Sequence, residues 1–366
     1  FGKNIISYCW SCQYHIVWRE RDLHSMLKGD KFEFILLDSI FQLVEMDEKV
    51  SGIEELERMY TNARSEPIRI SYSVIESVTK NFCQEIGRGG FATVYLGSLR
   101  NDVMVAVKKL VPSQQDLSDK QFLGEVKCLK TVNHKNIVRF LGYCVDTHGV
   151  VMEVGKEVII AEERKWFLCF EYEPNGNLQD YLKEKTHGYE WSIRYKIIKG
   201  ICQGLHYLHQ KGIKHLDLKP ANVLLGAQME PKITDFGLSR NDASQFTIVT
   251  SNVVGTLGYI PPELIKEGKI SFKTDIFSLG IIMIRLLTGI NGDIPTNWHE
   301  SLTVDYCQQK EICIQLAQMC TDTDPHKRPE ISYITSKLTE TETTNQNAPP
   351  AIITEPRNDP TSTLYK

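Results

Sequence analysis

The stretch that decides the fold is Lys214-His-Leu-Asp-Leu-Lys-Pro-Ala-Asn-Val-Leu-Leu225, in the second half of this 366-residue chain. It places a carboxylate, an ammonium group and an amide within six positions of a loop that follows a segment of helical periodicity. Each of these residues, taken alone, is more often a turn or cap residue. The order and spacing of all three indicate a functional loop.

A second loop downstream adds another carboxylate. Thr234-Asp-Phe-Gly237 follows a short apolar run, and its aspartate is a suitable ligand for a hard cation. Phosphoryl transfer needs a base that positions the acceptor, positive charge on the γ-phosphate and an oxygen ligand for Mg²⁺. The candidates for these catalytic roles are Asp217, Lys219 and Asn222. The candidate metal ligands are Asn222 and Asp235.

A glycine-rich turn lies far upstream, at Ile86-Gly-Arg-Gly-Gly-Phe-Ala-Thr-Val94. Its backbone N–H groups could approach phosphates without interference from Cβ atoms, although an isolated segment of this kind is often an ordinary hairpin turn. The spacing also fits the dinucleotide fingerprint of a nucleotide-dependent oxidoreductase. That motif must open a helix and be followed by an acidic residue about 20 positions later. Here a strand pattern follows and Lys108 stands near that position, which disfavours the oxidoreductase.

Alternating apolar residues after the turn predict two antiparallel strands, at 93–97 and 103–107, joined by a turn at 100–102. Lys108 ends the second strand, so its ammonium group emerges beside the glycine-rich turn, where it suits the oxygens of a triphosphate. A lysine in a partly dry cleft needs a carboxylate, and Glu125 on the next predicted helix is the candidate. The alternative is a pair of solvated surface charges.

The remaining periodicity completes an α+β pattern. Helices are predicted at 193–208 and 275–288, each followed by a glycine that can cap it. A strand-rich N-terminal third and a helix-rich remainder indicate an α+β protein of two unequal lobes. Residues 1–45 show no sustained period, and residues 339–366, rich in Thr, Asn, Pro and Glu, predict a disordered tail.

These motifs stand in the order found in eukaryotic protein kinases, which the chain resembles. Among them it resembles the plant receptor-like kinases related to Pelle and the interleukin-receptor-associated kinases. The resemblance covers about residues 72–338 and includes Pro261-Pro-Glu263, Asp275 and Arg328. It implies a two-lobed protein-kinase fold with residues 1–71 as an N-terminal extension. It also implies a serine/threonine kinase that uses ATP and Mg²⁺ in receptor-linked signalling.

The resemblance further implies how the nucleotide is bound. Lys108 would hold the α- and β-phosphates, and adenine would hydrogen-bond to backbone near Glu171 and Glu173, beside the gatekeeper Phe170. The full set of residues expected to bind the nucleotide is Ile86, Gly87, Gly89, Val94, Ala106, Lys108, Glu125, Glu171, Glu173 and Leu224.

Other matching residues are implied to be architectural or to set the substrate class. Glu263 and Arg328 would form a structural ion pair, and Asp275 would anchor the catalytic loop. Lys219 and Thr256 match the pattern of Ser/Thr-directed members, so serine or threonine is the expected acceptor.

Four departures from the family pattern modify this expectation. Ala92 replaces the third glycine of the loop and is expected to weaken ATP binding modestly. Leu216 stands where many kinases have arginine, as in the non-RD kinases, so an activation-loop phosphate finds no partner there. Residues 146–165 form an extra polar stretch between two strands, and the segment 289–306 is short. A weakly active or pseudokinase scaffold that binds ATP and partner kinases is therefore the alternative, against which the intact catalytic residues argue.

Composition narrows the classes further. With 42% hydrophobic and 24% charged residues the chain is typical of a globular protein, and a net charge of -4 disfavours nucleic-acid partners. The longest strongly apolar run, 276–284, is well short of the roughly 20 residues of a membrane-spanning helix, so no transmembrane segment is expected.

Cysteine usage bears on the cellular compartment of the protein, and the first residue bears on the bounds of the sequence. Ten scattered cysteines suit a reducing compartment, so we expect a cytoplasmic protein. The resemblance implies protein substrates, a membrane receptor complex as partner and a peripheral position at the plasma membrane. Because the chain begins at Phe1, we expect a fragment or a gene-model artefact before Met46.

Overall fold

The computed structural model describes residues 4–8, 15–19, 32–90, 92–110, 119–154, 157–184, 191–241, 248–250, 255–290, 292–302 and 308–346. The chain divides into two compact units, an N-terminal unit Phe1–Pro174 and a C-terminal unit Asn175–Lys366. A large sheet dominates the first unit and helices dominate the second. This confirms the two-lobed α+β architecture predicted from the sequence.

The N-terminal unit contains, in chain order, β1 (Asn4–Tyr8), β2 (His15–Arg19), α1 (Phe32–Thr61), β3 (Ile68–Arg69), α2 (Tyr72–Val78), β4 (Glu85–Arg88), β5 (Ala92–Ser98), β6 (Met104–Leu110), α3 (Asp119–Lys130), β7 (Phe140–Val154) and β8 (Glu157–Glu171). Strands β1 and β2 pair only with each other, and the other six form one sheet in the order β3-β7-β8-β6-β5-β4. Every neighbouring pair in it is antiparallel except β3 with β7. The predicted antiparallel pair is therefore confirmed as β5 and β6.

Alternation along β6 explains the core of this unit. Val105 and Val107 are fully buried because residues two apart on a strand point to the same face. Apolar residues of α1 and α2, among them Leu56 and Ile75, belong to the same buried cluster. The last turns of α1 are thus part of the core.

Two segments of the N-terminal unit differ from the sequence-based expectation. Helix α1 begins at Phe32, inside the region 1–45 in which the sequence shows no sustained period. The stretch 146–165 is not an irregular insertion, since β7 and β8 run on through it as a ladder from Asp146↔Lys165 to Val154↔Glu157. Polar residues pair across the ladder, with His148 Nε2 3.2 Å from a carboxylate oxygen of Glu163.

The C-terminal unit contains, in chain order, α4 (Leu178–Glu184), α5 (Trp191–Gln210), β9 (Ile213–Lys214), β10 (Val223–Leu225), β11 (Pro231–Ile233), β12 (Arg240–Asn241), β13 (Ile248–Val249), α6 (Pro262–Glu267), β14 (Lys269–Ile270), α7 (Phe272–Thr288), α8 (Gln308–Cys320) and α9 (Ile331–Gln346). Its strands form three antiparallel pairs, β9 with β12, β10 with β11 and β13 with β14. Helices α5 and α7 confirm the two helices predicted from the sequence.

Local sequence explains where α7 begins and ends. Ser271 caps its N-terminus in a capping box with Thr274, which places the start at Phe272, three residues before the predicted one. Gly289 ends it with a φ of +74°, a conformation that glycine adopts without strain.

The last helix continues past the predicted start of a disordered tail. Helix α9 extends to Gln346, and the hydroxyl of Tyr195 on α5 donates to Leu338 O at 2.7 Å and lies 2.8 Å from Thr341 Oγ1. These buried contacts hold residues 339–346 in helical structure, contrary to expectation, and residues 347–366 lie outside the described residues. None of the helices in the described part of the chain has the length and apolar character needed to cross a membrane.

The predicted ion pair between Glu263 and Arg328 is present in the C-terminal unit. Two nitrogens of the Arg328 guanidinium donate to the two Glu263 carboxylate oxygens at 2.7 and 2.8 Å, and its Nε donates to Asp322 O at 2.8 Å. Arg328 is only 1% exposed. Its planar donor array matches the carboxylate in the paired geometry that makes such contacts strong.

Replacing Arg328 with methionine is expected to destabilise the protein by about 3–5 kcal/mol, because Glu263 would remain buried without its partner. Thermal unfolding followed by circular dichroism should show a midpoint lowered by about 10 °C. Lys337→Met is the matched control, since Lys337 pairs with Glu340 at 2.8 Å on the surface and should matter little. Equal midpoints for Arg328→Met and wild type would contradict the assigned role of the pair.

Candidate active site

The carboxylate of Asp217 lies at the centre of a polar cluster in the C-terminal unit. Its Oδ2 accepts from Lys219 Nζ at 2.7 Å and from Asn222 Nδ2 at 3.1 Å. Asn222 Nδ2 also donates to the backbone oxygen of Asp217 at 2.8 Å, while Asn222 itself ends the 3₁₀ turn Pro220–Asn222. The structure therefore brings together the three residues predicted to be catalytic.

Thr256 is the fourth member of this cluster. Its hydroxyl donates to Asp217 Oδ1 at 2.7 Å and accepts from Lys219 Nζ at 2.8 Å. The neighbouring Gly255 has a φ of +103°, and a Cβ there would lie 2.8 Å from Leu216 O. Glycine at 255 thus permits the close approach that brings the threonine to the catalytic loop.

Asp275 on α7 anchors the same loop, as the resemblance implied. It is fully buried, and its carboxylate accepts from His215 N at 2.9 Å and from Leu216 N at 2.8 Å. Leu216 has a φ of +68°, which costs a residue with a Cβ about 1–2 kcal/mol. The two hydrogen bonds from consecutive peptide groups to Asp275 offset this cost and fix the backbone just before Asp217.

His209 is a supporting residue that the sequence did not reveal. Its Nε2 lies 2.9 Å from Asp275 Oδ2. Burial alone would raise the pKa of Asp275. The hydrogen bond and charge of His209, the charge of His215 and the hydrogen bond from the backbone of Leu216 together hold that pKa below its ordinary value. Asp275 therefore stays an ionised acceptor, and no spacing rule could have found a pair 66 residues apart.

The two candidate metal ligands lie on adjacent segments. Thr234, which precedes Asp235, donates its N–H to Asn222 O at 3.0 Å, and its backbone oxygen accepts from His215 Nε2 at 3.0 Å. Because Asn222 directs its amide nitrogen to Asp217, its amide oxygen is the atom suited to a cation. One carboxylate and one amide oxygen fit Mg²⁺, which usually takes few protein ligands together with substrate phosphates. Across the described residues no cluster of three or more His, Cys, Asp or Glu side chains could hold a metal alone.

The glycine-rich turn joins β4 and β5 in the N-terminal unit. Gly87 pairs with Val94 in this antiparallel ladder, and Gly89 N donates to Ala92 O at 2.8 Å. A strand follows the turn, as predicted, so the dinucleotide motif is excluded. Ile86, on β4, is 39% exposed.

Lys108 lies on β6, opposite Val94 of β5. Its Nζ is 3.2 Å from Glu125 Oε1 on α3, and the two side chains are only 16% and 6% exposed. The predicted partnership is therefore confirmed, and the alternative of two solvated charges is wrong. A largely buried carboxylate that compensates the ammonium group is what a lysine needs in order to keep its charge away from water.

The other predicted nucleotide residues divide between the two units. Ala106 on β6 lies opposite Phe170 on β8, Glu171 ends β8, and Glu173 is buried two residues later. Leu224 lies in the C-terminal unit on β10. The roles assigned to these residues in binding a nucleotide stay predictions.

The family profile described as protein kinase domain matches residues 81–339. This chain belongs to the protein kinase family. Similar proteins from Arabidopsis thaliana include cysteine-rich receptor-like protein kinases 10 and 7, each 34% identical in an alignment of 308 positions that covers 75% of this chain. The match covers 43% and 44% of those two proteins, so this kinase spans less than half their length. Protein kinases in general use ATP and a divalent metal ion, and they act on proteins.

The residue immediately before Asp217 in this kinase is apolar. Leu216 is buried in an apolar cluster with Ile260, Leu264 and Ile270. Ile270 lies on β14, just after α6, and β14 pairs with β13. Strand β13 belongs to the segment between the Asp235 loop and α6. An apolar side chain from the catalytic loop thus packs against the end of that segment.

Proposed function

We propose that this kinase transfers the γ-phosphoryl group of ATP to serine and threonine hydroxyls of proteins. The observation that carries the proposal is the hydrogen-bonded cluster of Asp217, Lys219, Asn222 and Thr256. It combines a base, a cation and a metal-ligand oxygen on one short loop, together with the threonine that accompanies Ser/Thr-directed kinases. These are the parts that phosphoryl transfer requires.

Asp217 orients the acceptor hydroxyl and takes its proton through a carboxylate oxygen. The contacts from Lys219, Asn222 and Thr256 fix the carboxylate in one orientation, which matters because the reacting atoms must be aligned closely. The ammonium group of Lys219 also supplies positive charge for the transferred phosphoryl oxygens.

The nucleotide roles follow from the charges in the N-terminal unit. Lys108, held by Glu125, binds phosphate oxygens, and backbone N–H groups near Gly87 and Gly89 lie against the phosphates. Mg²⁺, when bound, neutralises the phosphate charge that builds up during transfer. Asn222 and Asp235 are the residues that would hold it.

The setting proposed for this activity is receptor-linked signalling on the cytoplasmic side of the plasma membrane. The similar Arabidopsis proteins are named as receptor-like kinases, which supports this setting. We propose protein substrates and a membrane receptor complex as partners, and plant defence as the process. The alternative, an ATP-binding scaffold with little activity, is less favoured because Lys108, Asp217 and Asp235 are all intact.

The test is transfer of radiolabelled γ-phosphate from ATP to peptides that contain serine, threonine or tyrosine. We expect label on serine and threonine, dependent on Mg²⁺ and abolished by EDTA. Label on tyrosine alone would contradict the acceptor class, and nucleotide binding without any transfer would favour the scaffold.

We also propose that this is a non-RD kinase whose activity depends little on activation-loop phosphate. In kinases with arginine at this position, the phosphate gains charge-assisted hydrogen bonds that order the segment. Leu216 has no donor and is packed among apolar side chains instead. The candidate phosphorylation sites of the activation loop, between Asp235 and Pro261, are Thr247, Thr250 and Ser251. Thr250 donates its backbone N–H to Gly268 O at 2.9 Å, and Thr247 and Ser251 lie outside the described residues.

A triple alanine variant at Thr247, Thr250 and Ser251 is expected to keep its turnover within about threefold of wild type. Thr256→Ala should lower turnover about 100-fold, because it removes the hydrogen bonds that the Thr256 hydroxyl makes with Asp217 and with Lys219. The measurement is turnover of one peptide substrate, with Thr256→Ser as the control that keeps the hydroxyl. Loss of activity in the triple variant, with an unchanged circular dichroism spectrum, would show that the phosphate is needed.

A further inference from the structure

Arg139 lies immediately before β7 and holds Glu171 through its own peptide groups. Its N–H donates to a carboxylate oxygen of Glu171 at 2.7 Å. Its backbone oxygen accepts from Glu171 N at 3.1 Å. Glu171 is thus fixed at both its main chain and its side chain by a single residue.

The side chain of Arg139 faces the C-terminal end of helix α1. Its guanidinium donates to Tyr60 O at 2.8 Å and to the backbone oxygens of Met59 and Asn62. The last carbonyls of a helix have no partner within the helix and carry its partial negative charge, so a cation is favourable there. Two such oxygens, those of Met59 and Tyr60, and the oxygen of Asn62 just after the helix therefore accept from one guanidinium.

Helix α1 precedes residues 81–339, which carry the kinase family match, yet it is built into the N-terminal unit. Met59 is buried, and a Cβ on Gly52 would lie 2.6 Å from Val74 Cγ2 of α2. Arg100, in the turn between β5 and β6, donates its backbone N–H to Glu57 at 2.9 Å. The end of α1 is therefore held in a defined place against the sheet.

We propose that Arg139 is a positioning residue that ties α1 to Glu171 and so raises the affinity for the nucleotide. The inference rests on the proposed function, because it takes Glu171 to be part of the adenine site. A residue already held in one conformation loses less freedom when a ligand binds, and this strengthens binding. The catalytic cluster around Asp217 makes no use of Arg139, so turnover at saturating ATP should change little.

Arg139→Ala keeps the peptide hydrogen bonds to Glu171 but removes the side-chain attachment to α1, so the peptide groups that hold Glu171 are less firmly placed. For this variant we expect KM for ATP and the Kd for a non-hydrolysable Mg²⁺-ATP analogue to rise by about five- to tenfold. Its kcat should stay within about twofold of wild type. Arg139→Lys keeps the charge but not the fork of donors, so it should give an intermediate KM. Asn133→Ala is the matched control, since Asn133 Nδ2 donates to Ala63 O at 2.9 Å just beyond the same helix end.

The outcomes separate this proposal from the function on which it rests. A wild-type protein that binds the analogue, with Arg139→Ala binding it equally well, would overturn the positioning role alone. A wild-type protein that binds no nucleotide would overturn the proposed function and this role with it. If Arg139→Ala does not fold, Arg139→Lys decides: an intermediate KM with unchanged kcat supports the proposal, and a wild-type KM refutes it. An equal rise in KM for Asn133→Ala would show that any loosening of α1 suffices, and it would refute the specific role of Arg139.

Discussion

Replacing Asp217 with asparagine is expected to reduce phosphoryl transfer by about 10²- to 10⁴-fold, the usual contribution of a general base. The asparagine side chain has the same shape, so the contacts with Lys219 and Thr256 can be partly kept, but it cannot take a proton from the acceptor hydroxyl. The binding of nucleotide should be unchanged, because Asp217 is not assigned to hold it. The loss is thus expected in kcat rather than in KM for ATP.

Single-turnover transfer of radiolabel and fluorescence titration with an ATP analogue would measure the two quantities separately. Asp180→Asn is a suitable control, since Asp180 pairs with Lys183 at 3.0 Å on the exposed surface of α4 in the same unit. Equal turnover for wild type and Asp217→Asn would remove Asp217 from the reaction. Loss of nucleotide binding in Asp217→Asn would show that its role is not confined to the acceptor.

Lys108→Met is expected to lower kcat/KM by about 10²- to 10³-fold, as removal of a preorganised charge from an active site does. Methionine fills similar space on β6 but supplies no positive charge to the phosphates. It also leaves Glu125, whose side chain is 6% exposed, without its ammonium partner. Some loss of stability should therefore accompany the loss of activity.

A second substitution separates these two effects. The double variant Lys108→Met with Glu125→Gln should recover stability, because no charge is left unpaired, but it should stay inactive. Lys109→Met is the matched control on the next position of β6, where the ammonium lies 5.5 Å from the ring of Phe82. Recovery of activity in the double variant would show that Lys108 serves the fold and not the nucleotide.

The sequence was most informative where chemistry-bearing residues are dense. The loop around Asp217 was predicted residue by residue, because three polar groups at fixed spacing in a short loop must end close together. The pair Lys108 and Glu125 was predicted for a different reason, since a lysine on a buried strand requires a carboxylate. The strands that carry the glycine-rich turn were predicted from their alternation.

The features of the fold and the site that were not predicted depend on contacts between distant segments, for which the sequence holds no local signal. His209 meets Asp275 only because α5 and α7 pack together in the C-terminal unit, and Arg139 meets the end of α1 across 77 to 80 positions. The polar stretch 146–165 lacks a clear strand period, so its ladder was missed. The disordered tail was predicted to start at residue 339, inside helix α9, because the polar composition there gives no sign of the buried contact between Thr341 and Tyr195.

The apolar packing of Leu216 has a consequence for how this kinase responds to its surroundings. A contact between phosphate and arginine weakens as salt screens the charges, and a phosphatase removes it. The cluster of Leu216 with Ile260, Leu264 and Ile270 contains no charge to screen and no group to cleave. Its strength instead follows the hydrophobic effect, which weakens on cooling. The strength of this packing between the loop around Asp217 and residues 260–270 thus depends on temperature rather than on ionic strength.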